Sequence, residues 1–253
     1  MHLLRITIVN LRILISNDDG IFSPGLVALA RIASRVGDVR IVAPDVEQSS
    51  MGHAITASRP LDYRKSRVDN FEAYRVNGTP ADCVALGAHH WERVDVVLSG
   101  INLGLNLGNS CWHSGTLAAA KQAALLGLRG IAISAPPVED GDYEELEPSL
   151  ERVLHLLLEV EKAMCLVNVN LPTRPKGVRW TRQSVRHYDG TVLEGIDPLG
   201  RKHFWFGIRP MQAADEGTDR WAIEHDFVSI TPLRLDLTDE QELRRMQQEL
   251  PVE

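Results

Sequence analysis

Residues 11–20 read LRILISNDDG, and this stretch, an apolar run that ends in an acidic turn, decides the fold. LRILIS shows no clear alternation of apolar and polar residues, which is typical of a strand that is covered on both faces. Ser23-Pro24 then supplies an N-cap and a proline at the first helical position, ahead of the helical stretch 26–36. VRIVAP (39–44) is a second buried strand. This succession of strand, helix and strand predicts a βαβ unit with a parallel sheet.

The same alternation continues as far as Pro172 and predicts a doubly wound α/β core with a mostly parallel, Rossmann-like sheet over residues 11–172. The further helices are expected at 80–90, 116–127 and 149–163, and the further buried strands at 94–100, 131–134 and 166–171.

From residue 173 onward the pattern changes to short β-rich segments that Gly, Pro and Asp turns separate. These segments are VRWTRQSVR (178–186), TVLEG (191–195), KHFWFGIR (202–209) and FVSITPL (227–233). We predict that residues 173–253 form antiparallel hairpins appended to the core and a C-terminal helix at 238–249. Isolated hairpins are marginally stable in water, so they must pack on the core or on a second subunit.

The composition excludes several classes of protein. The chain has 253 residues, of which 44% are hydrophobic and 24% charged, as in globular domains. Twenty-seven Lys and Arg against 34 Asp and Glu give a net charge of −7, which argues against binding to duplex nucleic acid. No apolar run approaches the roughly 18 residues of a membrane span. Cys83, Cys111 and Cys165 are too far apart for a thiolate metal site or a disulfide framework, so we expect a cytoplasmic protein.

Polar residues follow three of the predicted strands: Asn17 to Gly20, Asp45 to Ser50, and the loop that contains Asn102, Asn106 and Asn109. Ligands of open parallel sheets bind at the carboxyl ends of the strands, so these groups should lie close together. Their carboxylate, amide and hydroxyl oxygens suit Mg²⁺ or Mn²⁺ and not zinc. NDDG alone is better interpreted as an ordinary turn. The coincidence of three such groups at one edge of the sheet favours a metal site.

Ser114-Gly115-Thr116 directly precedes an Ala-rich helix and is a second candidate. The free N–H groups and the dipole of a helix start attract anions, and the hydroxyls add donors. Taken alone, the motif is better interpreted as an ordinary N-cap. Beside a metal site, a phosphate-binding role becomes the better interpretation.

Other polar and aromatic residues leave two interpretations open. His53 and His113 are candidate general acids or phosphate donors, or hydrogen-bonded structural residues. Arg182, Gln183 and Arg186 either reach an anionic substrate or form the solvated face of a hairpin. The tryptophans, with Phe204 and Phe206, are better explained as interface or core than as a platform for nucleobases.

The sequence resembles the SurE family of survival-protein nucleotidases, from about residue 11 to about residue 240. The motifs that carry the resemblance are SNDDG (16–20), APDVEQSSMGHAIT (43–56), GTPADCV (78–84), SGINLGLNLG (99–108), HSGT (113–116) and TRQSVR (181–186). The family's metal ligands match Asp18, Asp19, Ser49 and Asn102, and the resemblance alone supplies the assignment of Ser49. Family chains usually begin near Leu11, so residues 1–10 are expected to be an extension or the result of a misplaced start.

The resemblance implies a metal-dependent phosphomonoesterase that hydrolyses nucleoside monophosphates, with activity on 3′-nucleotides and polyphosphate in some members. One Mg²⁺ or Mn²⁺ per subunit is expected to activate water, with Asp19 as the group that handles the proton. Asn106 and the helix start, Ser114, Gly115 and Thr116, are expected to hold the phosphate. The family forms dimers, and sometimes tetramers, with exchanged C-terminal segments. Many relatives have Pro at the position of Leu105 and Glu or a similar residue where Lys121-Gln122 lie, and neither departure removes a matched ligand.

Three other functions compete with this one. An aspartyl-phosphate enzyme of the haloacid-dehalogenase type is disfavoured because it uses D-x-D, and Gly20 stands two residues after Asp18. A dinucleotide oxidoreductase is disfavoured because G-x-G-x-x-G does not follow the first strand. The alternative from another class is a nucleotide-binding stress or assembly protein with a structural metal site and no turnover.

Overall fold

The computed structural model describes residues 11–138, 142–159, 165–185, 188–210 and 214–250. The strands are β1 (Leu11–Ser16), β2 (Gly37–Pro44), β3 (Tyr63–Val68), β4 (Phe71–Val76), β5 (Val96–Leu103), β6 (Arg129–Ala135), β7 (Leu166–Asn170), β8 (Gly177–Trp180), β9 (Tyr188–Ile196), β10 (Lys202–Pro210) and β11 (Phe227–Leu233). The helices are α1 (Pro24–Ala33), α2 (Pro80–His90), α3 (Gly115–Leu125), α4 (Glu147–Glu159), α5 (Asp219–Glu224) and α6 (Glu240–Glu249).

A nine-stranded sheet forms the centre of the molecule, in the order β3-β4-β2-β1-β5-β6-β7-β11-β8. The pairs from β4 to β7 are parallel, while β3 and β11 run antiparallel to β4 and β7. The predicted doubly wound, mostly parallel α/β fold is therefore confirmed. The strand order switches at β1, whose two neighbours are β2 and β5, and such a switch opens a crevice at the carboxyl ends of the strands.

Helices cover both faces of the sheet, which explains why β1 is apolar without alternation. Ile13 and Ile15 pack in the cluster that contains α1 and α4. Leu14 packs on the opposite face, in the cluster that contains residues of α2 and α3. β1 is thus buried on both sides, and the sheet holds its carboxyl end rigidly in place.

The structure differs from the sequence prediction at the edges of the sheet. The hairpin of β3 and β4 was not predicted, because YRKSRV has three charged residues and reads as a loop. Its partly exposed position at the edge tolerates these charges. Part of the predicted helix 149–163 lies outside the described residues, and α4 begins two residues earlier than expected. Residues 1–10 also lie outside the described residues.

The C-terminal segments divide into two groups. β9 and β10 form a separate antiparallel hairpin, as predicted, and are called the arm below. The expectation of an appended hairpin is wrong for β8 and β11, because β11 inserts between β7 and β8 in the large sheet. The division into a core at 11–172 and an assembly segment at 173–253 stays a prediction. None of the helices in the described ranges is long and apolar enough to cross a membrane.

Close packing of α3 on the sheet can be tested at Gly130 in β6. A Cβ atom at this position would overlap the carbonyl oxygen of Ala120 in α3. We expect Gly130→Ala to lower the free energy of unfolding by about 1–3 kcal/mol, the usual cost of overpacking, as measured by urea unfolding. Gly177→Ala in β8 is the matched control, because its added Cβ would meet nothing closer than 3.6 Å. Equal losses in both variants would contradict the packing argument.

Candidate metal and phosphate site

The acidic turn after β1 is held in one conformation by the chain around it. The Asn17 side chain donates to the carbonyl of Gly20 (3.0 Å), and Gly20 has φ +95°, which favours glycine. The N–H of Gln48, in the loop after β2, donates to the carbonyl of Asp18 (2.7 Å). The turn therefore brings the loop after β2 against the end of β1.

Asp18 is buried against the start of α3. Thr116 Oγ1 donates to Asp18 Oδ1 (2.6 Å), and a Cβ at Gly115 would stand only 2.7 Å from the Cβ of Asp18. Burial raises the pKa of Asp18, while the hydrogen bonds from Thr116 and from backbone N–H groups at the helix start oppose that shift. A glycine followed by a hydroxyl residue is what lets the helix approach this carboxylate.

Asp19 is less buried than Asp18 and contacts the end of β5. Its Oδ2 accepts a 3.3 Å hydrogen bond from the N–H of Leu103 at the end of β5. Burial and, next, the neighbouring charge of Asp18 raise the pKa of Asp19 to about 6. The charge of Asp18 thus disfavours the ionised form of Asp19, and a cation bound beside the two carboxylates would relieve that repulsion.

Ser49 and Asn102 complete the predicted oxygen set at the same edge. Ser49 is exposed, and its hydroxyl donates to Glu47 Oε1 (2.6 Å). The Asn102 amide N–H donates to the carbonyl of Gly104 (2.7 Å), which orients the side chain and leaves its oxygen as the atom suited to a cation. Asp18, Asp19, Ser49 and Asn102 all line one cleft.

The donor set is chemically consistent with a hard divalent cation. No group of three or more His, Cys, Asp and Glu residues with metal-binding geometry occurs among the described residues. Two carboxylates with one hydroxyl and one amide oxygen are instead the ligands that Mg²⁺ and Mn²⁺ accept, with water completing the shell. The ligand role of each residue stays a prediction.

The cleft has a volume of about 730 Å³, which is ample for a small ligand. The four oxygen-bearing residues line it together with Asn106 and Ser114. Three residues of the arm, Gly190, Phe206 and Gly207, also line it. The arm therefore adds an aromatic side chain to the cleft.

The structure separates the predicted phosphate-binding residues into two groups. Ser114 lines the cleft and caps α3, since its hydroxyl oxygen accepts from the N–H of Leu117 (3.1 Å). Thr116 is 0% exposed and its hydroxyl is directed to Asp18, and Gly115 is buried against the same carboxylate. Gly115 and Thr116 thus contact Asp18, whereas Ser114 and Asn106 face the cleft.

Asn106 is fixed by residues that sequence reasoning did not select. Its N–H donates to Asn170 Oδ1 (2.8 Å), and its carbonyl accepts from the side chains of Asn170 (3.0 Å) and Asn168 (2.8 Å). Its own side chain donates to Ser134 Oγ (2.9 Å). The signal was present in LVNVN of β7, where two asparagines alternate with valines in a fully buried strand.

The remaining candidates have mixed outcomes. His53 pairs with the Gln122 side chain (2.9 Å), while His113 lines the cleft. Gln183 donates to the carbonyl of Gly108 (2.6 Å), so it holds a loop of the protein itself. Arg186 lies outside the described residues. Phe206 lines the cleft, although the sequence favoured a place in an interface or the core.

Comparisons with known proteins identify the family of this chain. The family model described as "Survival protein SurE" matches residues 13–190. 5′-Nucleotidase SurE 1 of Thermus thermophilus is 46% identical over 90% of this chain and 93% of its own length. 5′-Nucleotidase SurE of Deinococcus radiodurans is 44% identical over 95% of this chain and 93% of its own length. The crystal structure of the SurE protein from Aquifex aeolicus superposes with a TM-score of 0.81 at 38% identity, covering 94% of this chain and 98% of that one. On these matches, the chain belongs to the SurE family.

Proposed function

We propose that this protein is a metal-dependent 5′-nucleotidase, which hydrolyses nucleoside monophosphates to nucleosides and inorganic phosphate. The observation that carries the proposal is the single cleft in which two carboxylates, a hydroxyl and an amide oxygen stand beside a helix start. The nucleotidase names of the relatives support the same activity. Activity on 3′-nucleotides and on polyphosphate is part of the proposal as a secondary range.

Asp18, Asp19, Ser49 and Asn102 are the proposed ligands of one Mg²⁺ or Mn²⁺ per subunit. Such a cation, when bound, polarises the phosphoryl group and acidifies the attacking water. Asp18 is oriented by Thr116 and Asp19 by the N–H of Leu103, so neither carboxylate has to reorganise when substrate enters. We propose that Asp19 accepts the proton of the attacking water. The acceptor is Oδ1, because Oδ2 accepts the hydrogen bond from the N–H of Leu103.

Ser114 and Asn106 are the proposed donors to the phosphoryl oxygens. The Ser114 hydroxyl accepts from Leu117 with its oxygen, which leaves its proton free to donate into the cleft. The Asn106 amide has two N–H groups, and one of them goes to Ser134. Both donors are fixed before charge builds on the phosphoryl oxygens, which is the arrangement that stabilises a transition state.

The nucleoside is proposed to lie against Phe206, the aromatic residue that the arm contributes to the cleft. Phe206 is 92% exposed, and the flanking cleft residues Gly190 and Gly207 carry no side chains that would crowd it. An exposed aromatic ring stacks with any nucleobase, because every base has a π face. This arrangement favours nucleotides over small phosphate esters without selecting one base.

The competing function is a nucleotide-binding protein with a structural metal and no turnover. Release of phosphate from AMP, GMP and an aryl phosphate, measured with and without Mn²⁺, separates the two. Metal-dependent release supports the nucleotidase. Tight binding of AMP without release in the presence of Mn²⁺ would establish the alternative.

The charge of Asp19 is the first test of the metal assignment. Asp19→Asn keeps the shape of the turn and removes one negative charge beside the cation, so kcat with AMP should fall at least about 10²-fold. Asp45→Asn removes an exposed carboxylate from the neighbouring loop and serves as the control, with kcat expected within about twofold of the original protein. Near-original turnover of Asp19→Asn with metal bound would refute the assignment.

The hydrogen bond from Thr116 to Asp18 gives a second test. Thr116→Val keeps the volume but deletes the donor, so kcat/KM with AMP should fall about tenfold or more, as expected for a bond to a charged group. Thr116→Ser keeps the hydroxyl and should stay within about threefold. If Val and Ser variants have the same kcat/KM and apparent Mn²⁺ affinity, the bond does not orient Asp18.

The stacking role of Phe206 predicts a loss confined to nucleotide substrates. Phe206→Ala should raise KM for both AMP and GMP about tenfold, the usual effect of losing one stacked ring, and leave KM for glycerol 2-phosphate unchanged. Trp180→Ala removes an exposed aromatic ring on β8, outside the cleft, and is the control. An equal rise of KM for glycerol 2-phosphate would show that Phe206 does not contact the base.

We propose that the protein assembles as a homodimer or homotetramer through exchange of its C-terminal segment. The arm is a two-stranded hairpin, marginal by itself, and exposes a set of large apolar side chains. They include Val192, Leu193, Ile196, Leu199, Phe204 and Trp205. Apolar surface of this kind on a hairpin favours pairing with a second copy.

Light scattering of the original protein and of a variant with a shortened arm tests the assembly. Replacing residues 190–208 by a Gly-Gly turn removes the apolar surface, so a dimer or tetramer should become a monomer at micromolar concentration. An original protein that is already monomeric, or a shortened variant that keeps the original mass per particle, would overturn the proposal.

We also place the protein in the cytoplasm, which agrees with its three unpaired cysteines.

A further inference from the structure

Asp219 is a buried carboxylate that the proposed reaction does not use. It is 0% exposed and stands at the first position of α5. Oδ2 accepts from the N–H of Gly108 (2.9 Å), and Oδ1 accepts from the N–H groups of Ser184 (2.9 Å) and Arg220 (2.8 Å). Asp219 therefore joins three segments that are distant in sequence. A buried charge is retained only where such bonds replace its hydration.

Gly108 is the residue through which this carboxylate contacts the loop that lines the cleft. Its N–H is bound by Asp219, and its carbonyl accepts from Gln183 Nε2 (2.6 Å). Its φ is +52°, in the left-handed region. Residues of the C-terminal part of the chain thus bind both the N–H and the carbonyl of Gly108.

The residues on each side of Gly108 line the cleft. Asn106 lies two positions before it and Ser110 two positions after it. Asn168 and Asn170 of β7 bind the carbonyl of Asn106 from the sheet. The loop is consequently fastened at two points, to β7 through Asn106 and to the C-terminal segment through Gly108.

The same C-terminal residues form the base of the arm. The chain leaves toward β9 after Ser184 and returns before Thr218. The N–H of Arg182 donates to the carbonyl of Gly217 (3.0 Å), and the N–H of Asp219 donates to the carbonyl of Arg182 (2.9 Å). The two ends of the arm are therefore hydrogen-bonded to each other at the place where Asp219 and Gln183 bind Gly108.

We infer that Asp219 and Gln183 are positioning residues for phosphate binding, which act by setting the path of the loop 106–110. The base of the arm and this wall of the cleft form one hydrogen-bonded unit. The inference rests on the proposed function, in which Asn106 holds the phosphoryl group. Neither residue bonds to Asp18, Asp19 or Asn102, so their role is separable from metal binding.

Phosphate affinity and metal affinity, measured on the same full-length variants, test the inference. Gln183→Ala removes one bond to Gly108 and should raise KM for AMP and the inhibition constant for inorganic phosphate about 3- to 10-fold. Asp219→Asn places an amide N–H against backbone N–H groups and should raise both at least about tenfold. The dissociation constant for Mn²⁺ should change by less than about twofold in both variants.

Asp197→Asn is the matched control. Asp197 Oδ1 accepts hydrogen bonds from the N–H groups of Leu199 and Arg201 in the turn of the arm, both at 2.9 Å. Asp197 does not line the cleft. It tests the same loss of charge at a carboxylate that binds backbone N–H groups. Its KM and phosphate inhibition constant should match those of the original protein.

Each outcome has a distinct meaning. An original protein that releases no phosphate from AMP refutes the proposed function. An active original protein whose folded Gln183→Ala and Asp219→Asn variants keep the original phosphate inhibition constant refutes the inference. A Mn²⁺ affinity that falls as much as the phosphate affinity also refutes it, since that indicates general loosening. If circular dichroism shows that Asp219→Asn does not fold, Gln183→Ala decides alone.

Discussion

The contact between Asp18 and the first turn of α3 is the constraint on which the site depends. A carboxylate loses hydration when it is buried, and here the Thr116 hydroxyl and the N–H groups at the helix start replace part of it. The approach is possible only because Gly115 has no Cβ to collide with Asp18. The position of α3, the direction of Asp18 and the placement of Ser114 at the cleft are therefore fixed together.

Much of this arrangement could be predicted from the sequence because its determinants are local. Apolar runs without alternation identify buried strands, and proline and N-cap residues mark the helix starts, so β1, β2, α1 and α2 were expected near their observed places. The order of strands then brings the groups that follow them to one edge of the sheet. Asp18, Asp19 and Asn102 line one cleft at that edge, together with Ser49, which only the family resemblance singled out.

What could not be predicted depends on pairs of residues far apart in the chain. Thr116 was expected to face phosphate, but its partner is Asp18, 98 positions away. Asn170 reads as a strand residue, and only the folded sheet sets it against the peptide of Asn106. A polar edge strand such as β3 has no apolar pattern in its sequence. It pairs with a single neighbouring strand and stays partly exposed, so few of its side chains need to be apolar. The places of β8 and β11 in the sheet likewise depend on contacts between residues far apart in the chain.

The place of β11 determines how the site and the C-terminal segment depend on each other. β11 pairs with β7 on one side and β8 on the other, and β7 carries the two asparagines that hold Asn106. A chain that ends before β11 leaves an edge of β7 unpaired, beside the strand that orients the phosphate loop. The strand that orients the phosphate loop is thus flanked by a strand from the C-terminal segment, and closing the chain between them costs conformational entropy. Both sides of the cleft therefore depend on distant partners, since Asp18 is held by Thr116 of α3 and Asn106 by two asparagines of β7, a strand whose outer edge β11 covers.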